Sequence, residues 1–587
     1  MKTVLECLRD TAHEAPDGLA IFSHAESGWS GVTWKQVWDS VVALSIEFTA
    51  RGLAAGDRMA IIAPNSLQWE ITHFAALAAG AVVVGLDAHD TSERLQIVLR
   101  HAGATALVVD NESVLAKLGN AADHEKFVVL LSPADQRRRD AAHLTWDQVT
   151  HQASESLPTQ PDLPKLNSPA TIIYTSGTTG EPKGILYNHA QLAFACETII
   201  ATLPKARPGA RFVCWLPLSN LFQRVMNLCA IASGSSIYVV ANPLKVLDFV
   251  SAIEPDVFIG VPRFYEKLAL GIKSKVAEER GLKRIFANYA LSVGDRYATL
   301  RRAGSVPGIA LQIQHRLADR LVLRRLRGLM GHRLQYLVSG SAPIPKWILE
   351  YFASFGWLLL EAYGLSENIL PVAMNTPGAY QFGSVGKLMP GSELRIADDG
   401  ELMVKGPGLF AGYLGVPGSF EAVSEEGFYR TGDIGRLDET GFLKLTGRKS
   451  EIIKTTAGRR IALPAVESVL RELPWVDHAV AFGSGRKCLV ALLTINSGDQ
   501  SAADTHTRRA ELAAHIDTKL SQHERPAAVM LLSQPFTING GELTPNLKLR
   551  RMEIEKKYQP LIEDLFAKLE QTTEPSQAKQ FVLEIHE

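Results

Sequence analysis

Short, uninterrupted apolar runs punctuate the first ~165 residues: Met59-Ala-Ile-Ile-Ala63, Ala81-Val-Val-Val-Gly85, Ala104-Thr-Ala-Leu-Val-Val-Asp110 and Lys126-Phe-Val-Val-Leu-Leu131. Between them lie stretches with apolar residues at helical spacing, such as Trp69 to Leu77. A run without a polar face belongs to a strand covered on both sides, so this alternation predicts βαβ units around a parallel sheet. The same texture returns further on. Ala170 to Ile173 and Ile185-Leu-Tyr187 read as strands, with Asn188 as N-cap of a helix through Ile200. Leu334 to Val338 and Trp357-Leu-Leu-Leu360 are two more strands, each ending in a polar turn: Ser339-Gly-Ser-Ala-Pro343 and Glu361-Ala-Tyr-Gly-Leu-Ser-Glu367. In open α/β sheets, ligands sit beyond such carboxyl ends.

From Gly383 the pattern shifts to short alternating strands broken by Gly, Pro and Asp: Ser392 to Ile396, Gly400 to Lys405, Gly427 to Arg430 and Gly441 to Thr446. This predicts a small β-rich subdomain over about 383–447. A boundary is expected at Gly447-Arg-Lys-Ser450, followed by an α+β unit with strands at Asp477 to Phe482 and Cys488 to Leu493.

A chain of 587 residues, 46% hydrophobic and 21% charged, exceeds one core and calls for two or more domains. Its net charge of −1 removes any general argument for nucleic acid binding. Five cysteines stand singly, without C-x-x-C, which suits reduced thiols and a cytoplasmic protein. No run approaches the ~18 apolar residues of a spanning helix. One segment departs from this balance: residues 267–333 hold fifteen Lys and Arg against four Asp and Glu, in a helical pattern rich in Leu and Ile. Two readings stay open for it, a solvated helical hairpin or peripheral contact with an anionic membrane.

The densest candidate chemistry is Tyr174-Thr-Ser-Gly-Thr-Thr-Gly-Glu-Pro-Lys-Gly184, which offers three glycines, four Ser/Thr hydroxyls and a lysine directly after a strand. Glycines let backbone N–H groups approach an anion, and hydroxyls and ammonium match phosphate oxygens. Lys183 is followed by glycine, so this is not a Walker loop. A polar surface turn is the alternative.

The run closely resembles the signature loop of the AMP-forming adenylate superfamily, which includes acyl-CoA synthetases. Tyr363-Gly-Leu-Ser-Glu367, Tyr429-Arg-Thr-Gly-Asp433, Thr446-Gly-Arg-Lys449 and Leu543-Thr-Pro-Asn-Leu-Lys548 follow in that family's order. The stretch Val257 to Lys267 is similar to long-chain and other bulky-acid acyl-CoA synthetases. The resemblance implies an α/β protein with a large N-terminal adenylation domain, 1–447, made of mainly parallel sheets flanked by helices plus the β-rich subdomain. A hinge at 448–450 and a small mobile α+β lid, 451–587, complete it.

It also implies roles. Thr175, Ser176, Gly177, Thr178, Thr179, Gly180 and Lys183 would hold the ATP phosphates. Ser341 and Ala342 would lie against the adenine, with Tyr363 stacking on it, and Gly364 and Ser366 would also bind ATP or AMP. Asp433, assisted by Arg448, would bind the ribose, and Glu367 would hold Mg2+. Lys548 would bridge carboxylate and phosphate as charge builds. Gly340 and Asn220 fall near the acyl carboxylate; Asn220 stands where the family usually has His. Ser450 replaces the usual Lys or Asp at the pivot, beside Lys449, and Gly458 would admit the pantetheine arm of coenzyme A. The implied activity is conversion of a hydrophobic acid, a medium or long fatty acid, to an acyl adenylate and then a coenzyme A thioester. Loading of a carrier-protein phosphopantetheine and non-catalytic nucleotide binding are the alternatives.

Overall fold

Strands buried along their whole length need cover on both faces, and the N-terminal half supplies it. In the computed structural model, Arg58–Ile62, Val82–Leu86 and Ala106–Val109 lie side by side as parallel strands with almost no exposed side chain. They are the centre of a seven-stranded sheet running His143–Thr145, Val128–Leu130, Ala106–Val109, Arg58–Ile62, Val82–Leu86, Pro169–Thr175, Lys183–Asn188. Only the last pair is antiparallel. The helix expected around Trp69 spans Leu67–Ala78, started by the Ser66 side chain, which accepts from Trp69 N–H. The structure describes residues 1–122, 125–132, 143–155, 161–175, 183–420, 424–456, 459–496, 505–537, 540–543, 549–571 and 582–586.

A second sheet joins Val257–Gly260, Tyr336–Ser339 and Leu359–Tyr363 in parallel, then Ala373–Met374 and Lys387–Leu388 antiparallel. A third combines the N-terminal hairpin Leu19–Ala25 and Gly28–Thr33 with Ser236–Val239 and Arg211–Cys214. Pairing across some 215 residues, such as Ile21 with Ile237, leaves no local trace, so this sheet is absent from the sequence reading.

Short strands also follow Gly383, at Glu393–Ile396, Glu401–Lys405, Phe428–Leu437 and Leu443–Arg448. One is longer than its punctuation suggests. The strand expected over Gly427 to Arg430 runs on through Thr431-Gly432-Asp433 as far as Leu437. Gly432 takes φ +72, its N–H donates to Glu401 at 3.0 Å, and the Thr431 hydroxyl donates to the Leu402 carbonyl at 2.8 Å. A glycine inside a strand here marks a local kink, not an end.

Contact density divides the chain into two units: 1–395 with 403–430 and 438–443, and 396–402 with 431–437 and 444–587. In the second, Val476–Phe482, Leu489–Ile495, Pro526–Leu532 and Val582–His586 form one sheet. Its strands serve two cores. Ala479, Ala481, Ala491 and Leu493 pack with Val466, Leu470 and Leu512, while Val480, Phe482, Val490 and Leu492 pack with Ile554, Ile562 and Leu565. That is the period-2 alternation of a sheet with helices on both faces.

Candidate active site

The phosphate-loop candidate connects two neighbouring antiparallel strands whose last described pair is Thr175 with Lys183. Ser176, Gly177, Thr178, Thr179 and Gly180 lie outside the described residues. The returning strand carries Tyr187, fully buried, whose hydroxyl donates to the Ser366 carbonyl at 2.5 Å. The same strand meets the segment around Tyr413: the Leu414 N–H donates to the Gly184 carbonyl at 2.8 Å, and Ile185 bridges to Tyr413. The strand after the loop is thereby fastened to the turn that ends in Glu367.

Tyr413 is the junction. Its hydroxyl donates to Glu367 Oε1 at 2.9 Å, the Lys183 ammonium lies over its ring 5.0 Å from the centroid, and the Tyr429 hydroxyl is 3.4 Å away. Burial, with the Glu367 charge alongside, pushes the Tyr413 hydroxyl up to about 12 and that of Tyr429 higher still. Both phenols stay protonated donors at neutral pH. Glu367 is further fixed through its carbonyl, which accepts from Phe410 N–H at 2.9 Å. A carboxylate oriented by two phenols beside an ammonium suits a hard divalent cation that takes one or two carboxylates and otherwise phosphate oxygens. Neither Tyr187 nor Tyr413 is a candidate from the sequence. Tyr413 lies in Ala411-Gly-Tyr413, a short Gly/aromatic run with no periodic signal.

The two polar turns do share one sheet edge, since Ser339 pairs with Glu361 on adjacent parallel strands. Beyond the first strand, Gly340 donates to the Gly260 carbonyl, and a Cβ at this position would meet the Phe222 ring at 3.2 Å. Ser341 follows with φ +75, a left-handed conformation that costs a non-glycine residue energy and clusters at ligand sites. Ser341 and Ala342 are exposed; Tyr363, at the end of the second strand, is buried and leads into Gly364 and Ser366. Between them sits Glu361, whose buried carboxyl accepts from the Ile344 and Gly383 N–H groups. Desolvation outweighs those bonds and pushes it up to about 8.

Asn220 caps the helix Leu221–Ala232, its side-chain oxygen accepting from Phe222 N–H at 3.1 Å. Where an imidazole could titrate, this chain has a neutral cap that aims Phe222 at Gly340. One turn into that helix, Arg224 is fully buried and explains Gly85: a Cβ at residue 85 would overlap the guanidinium. Arg224 donates to the Leu218 carbonyl and the Thr171 hydroxyl, both at 2.8 Å, and burial lowers it to about 10. It thus ties the Pro-Leu-Ser-Asn turn to the strand that leads into the phosphate loop.

In the second unit Asp433 is buried and pairs with Arg448, Nε to Oδ1 3.1 Å. Lys449 contacts Asp399 at 2.7 Å and Glu401 at 3.1 Å, and Ser450 follows in a 3-10 turn, Lys449–Glu451. Lys548 and Gly458 lie outside the described residues. The segment bearing Lys548 is closed at its base by a bridge between Leu543 and Leu549 and by the Arg550 N–H donating to the Glu542 carbonyl at 2.8 Å. The Glu542 side chain is in turn held by Lys557.

Comparison with known proteins supplies the deciding observation: residues 8–414 match the AMP-binding enzyme model and residues 450–570 its C-terminal domain. The chain belongs to the AMP-binding enzyme family. Among its relatives, long-chain-fatty-acid--CoA ligase FadD15 of Mycobacterium tuberculosis is 32% identical, over 92% of this chain and 93% of that one. The similarly named ACSBG2 of Xenopus laevis is 27% identical, over 96% and 84%. Solved structures with this fold include the A domain of a carboxylic acid reductase from Segniliparus rugosus in complex with AMP and a co-purified carboxylic acid. It has TM-score 0.78 and 20% identity over 97% and 94% of the two chains. The anthranilate CoA ligase AuaEII in complex with anthranoyl-AMP has TM-score 0.74 and 18% identity over 95% and 97%. This AMP-binding enzyme therefore has the α/β architecture that its loop and turn residues imply.

Proposed function

We propose that this enzyme activates a fatty acid with ATP, forming an acyl adenylate and pyrophosphate, and then transfers the acyl group to coenzyme A with release of AMP. A carboxylate carries no usable leaving group; attack on the α-phosphorus of ATP creates one, and the thiol sulfur then displaces AMP from the acyl carbonyl. The relatives named long-chain-fatty-acid--CoA ligase support a fatty acid as the substrate. The observation that carries the site reading is Tyr413 joining Glu367 to Lys183.

In this reading the phosphate loop from Thr175 to Lys183 binds the β- and γ-phosphates, and Lys183 supplies positive charge to the departing pyrophosphate. Glu367, oriented by Tyr413 and Tyr429, is the ligand for Mg2+, which when bound neutralises phosphate charge. Asp433 with Arg448 takes the ribose hydroxyls, and Lys548 bridges the acid and the α-phosphate. The 383–447 subdomain, a hinge at 448–450 and a lid over 451–587 let one locus serve both half-reactions, Gly458 lining the thiol's path in the second. The basic segment 267–333 meets the membrane in which a water-insoluble acid resides.

The test is product analysis with ATP and a labelled long-chain acid, using coenzyme A or a carrier protein as acceptor. AMP with pyrophosphate, and label on coenzyme A, is the expected result. ADP release, or label on the carrier protein alone, overturns it.

A further inference from the structure

The helical stretch Ile309–Ala318, Asp319–Leu323, Arg324–Arg327 turns its small inner face toward the protein, burying Ala318 and Leu323. Its outer face is unusual for a soluble helix. Ile309, Ile313, Leu317 and Leu321 recur every four residues and are 78, 52, 58 and 58% exposed. Arg316, Arg320 and Arg324 are interleaved with them and also exposed. Asp319, the acid of this stretch, is bound by Arg327 at 2.6 Å. Beyond Arg320 and Arg324 opens a concavity of about 580 Å³, lined also by Arg325, Gly328, Leu329 and His332.

The preceding helix, Leu282–Arg302, repeats the theme. Its apolar stripe is buried at Ala290 and Val293 but continues uncovered through Leu282, Ile285, Phe286 and Tyr289. Tyr297 stacks on His315 with centroids 4.0 Å apart, joining the two helices as a hairpin. Scattered exposed leucines are ordinary; aliphatic and guanidinium groups sharing one exposed face are not. Aliphatic side chains at the acyl boundary, with arginines at headgroup level, are what an interfacial helix needs. Fifteen Lys and Arg against four Asp and Glu over 267–333 give the charge complementary to anionic lipid. Among the described residues no helix is long and apolar enough to cross a membrane.

We propose that this face, Ile309 to Arg324, seats the enzyme on an anionic lipid bilayer. The contact is peripheral and, resting on the fatty-acid reading above, gives the enzyme access to a substrate dissolved in that bilayer. The test is flotation of the full chain with vesicles of phosphatidylcholine alone or mixed with phosphatidylglycerol. The wild type should float with the mixed vesicles, less so as salt rises, and weakly with phosphatidylcholine. I313S/L317S/L321S should lower mixed-vesicle binding at least about tenfold, and R316Q/R320Q/R324Q should abolish the preference for phosphatidylglycerol.

Both variants should retain pyrophosphate exchange with a medium-chain fatty acid, soluble without vesicles, which also reports that they fold. Should the aliphatic variant lose exchange, the arginine variant decides alone. A wild type that floats with neither vesicle, or variants that float like it, overturns the proposal. So does a wild-type dimer in sedimentation that these variants dissolve, since the face would then be covered by a second copy. Absence of exchange in the wild type would refute acid activation and leave the flotation result standing.

Discussion

The Tyr413 hydroxyl donates to Glu367 Oε1 at 2.9 Å, so the carboxylate proposed to hold the metal is aimed by a residue 46 positions further along the chain. Tyr413→Phe keeps the ring under Lys183 and removes that bond together with the longer hydroxyl contact to Tyr429. A hydrogen bond to a charged group is worth about 1.5–3 kcal/mol, so adenylate formation should fall about 10- to 100-fold and the Mg2+ requirement should rise. Pyrophosphate exchange titrated with Mg2+ measures both. An unchanged Mg2+ dependence would mean that the tyrosine only packs.

Glu361 should leave a pH signature. Its folded value is raised to about 8 from an ordinary carboxyl value of 4.5. Between these the folded protein keeps a proton that the unfolded chain has lost. Stability is therefore full below the lower value and declines as pH rises toward 8. Glu361→Gln retains an acceptor for Ile344 and Gly383 without the ionisation. Relative to wild type it should gain stability between pH 6 and pH 8, read from urea unfolding midpoints. Parallel curves would contradict a buried neutral carboxyl.

Lys548→Ala should reduce adenylate formation by orders of magnitude while thioester formation from supplied acyl adenylate largely survives. Gly458→Leu should do the reverse. Separate assays of the two half-reactions decide, and equal losses in both for either variant would remove its assigned role.

Gly85→Ala should destabilise by about 1–3 kcal/mol through overpacking against Arg224. The cost should shrink in an Arg224→Met background, where a flexible side chain can yield. A double-mutant cycle by urea denaturation measures the coupling, and additive effects would show that the contact is not shared.

Strands covered on both faces were legible because Met59 to Ile62 and Val82 to Val84 carry no polar residue, and Asn188 marked its helix as an N-cap residue, to which the structure adds Gln191 as the other half of a capping box. The candidate site's linear parts, from Thr175 to Lys183 and from Tyr363 to Glu367, stand out in the sequence because their residue types are dense and local. What escaped is non-local. Tyr187 reaches Ser366 across 179 positions, and Arg224 reaches Thr171 across 53. The continuation of the strand from Arg430 to Asp433 is hidden at Gly432, where the Glu401 carboxylate holds in line a chain that glycine alone would let turn.

The sealed guanidinium at residue 224 also constrains how such a chain can change. Any side chain at position 85 competes for volume already taken, and shortening residue 224 first strands the Leu218 carbonyl in a dry interior. Each single step is downhill, so descendants can alter this pair only together or through an intermediate rescued elsewhere, which makes the two positions a heritable lock within the sheet.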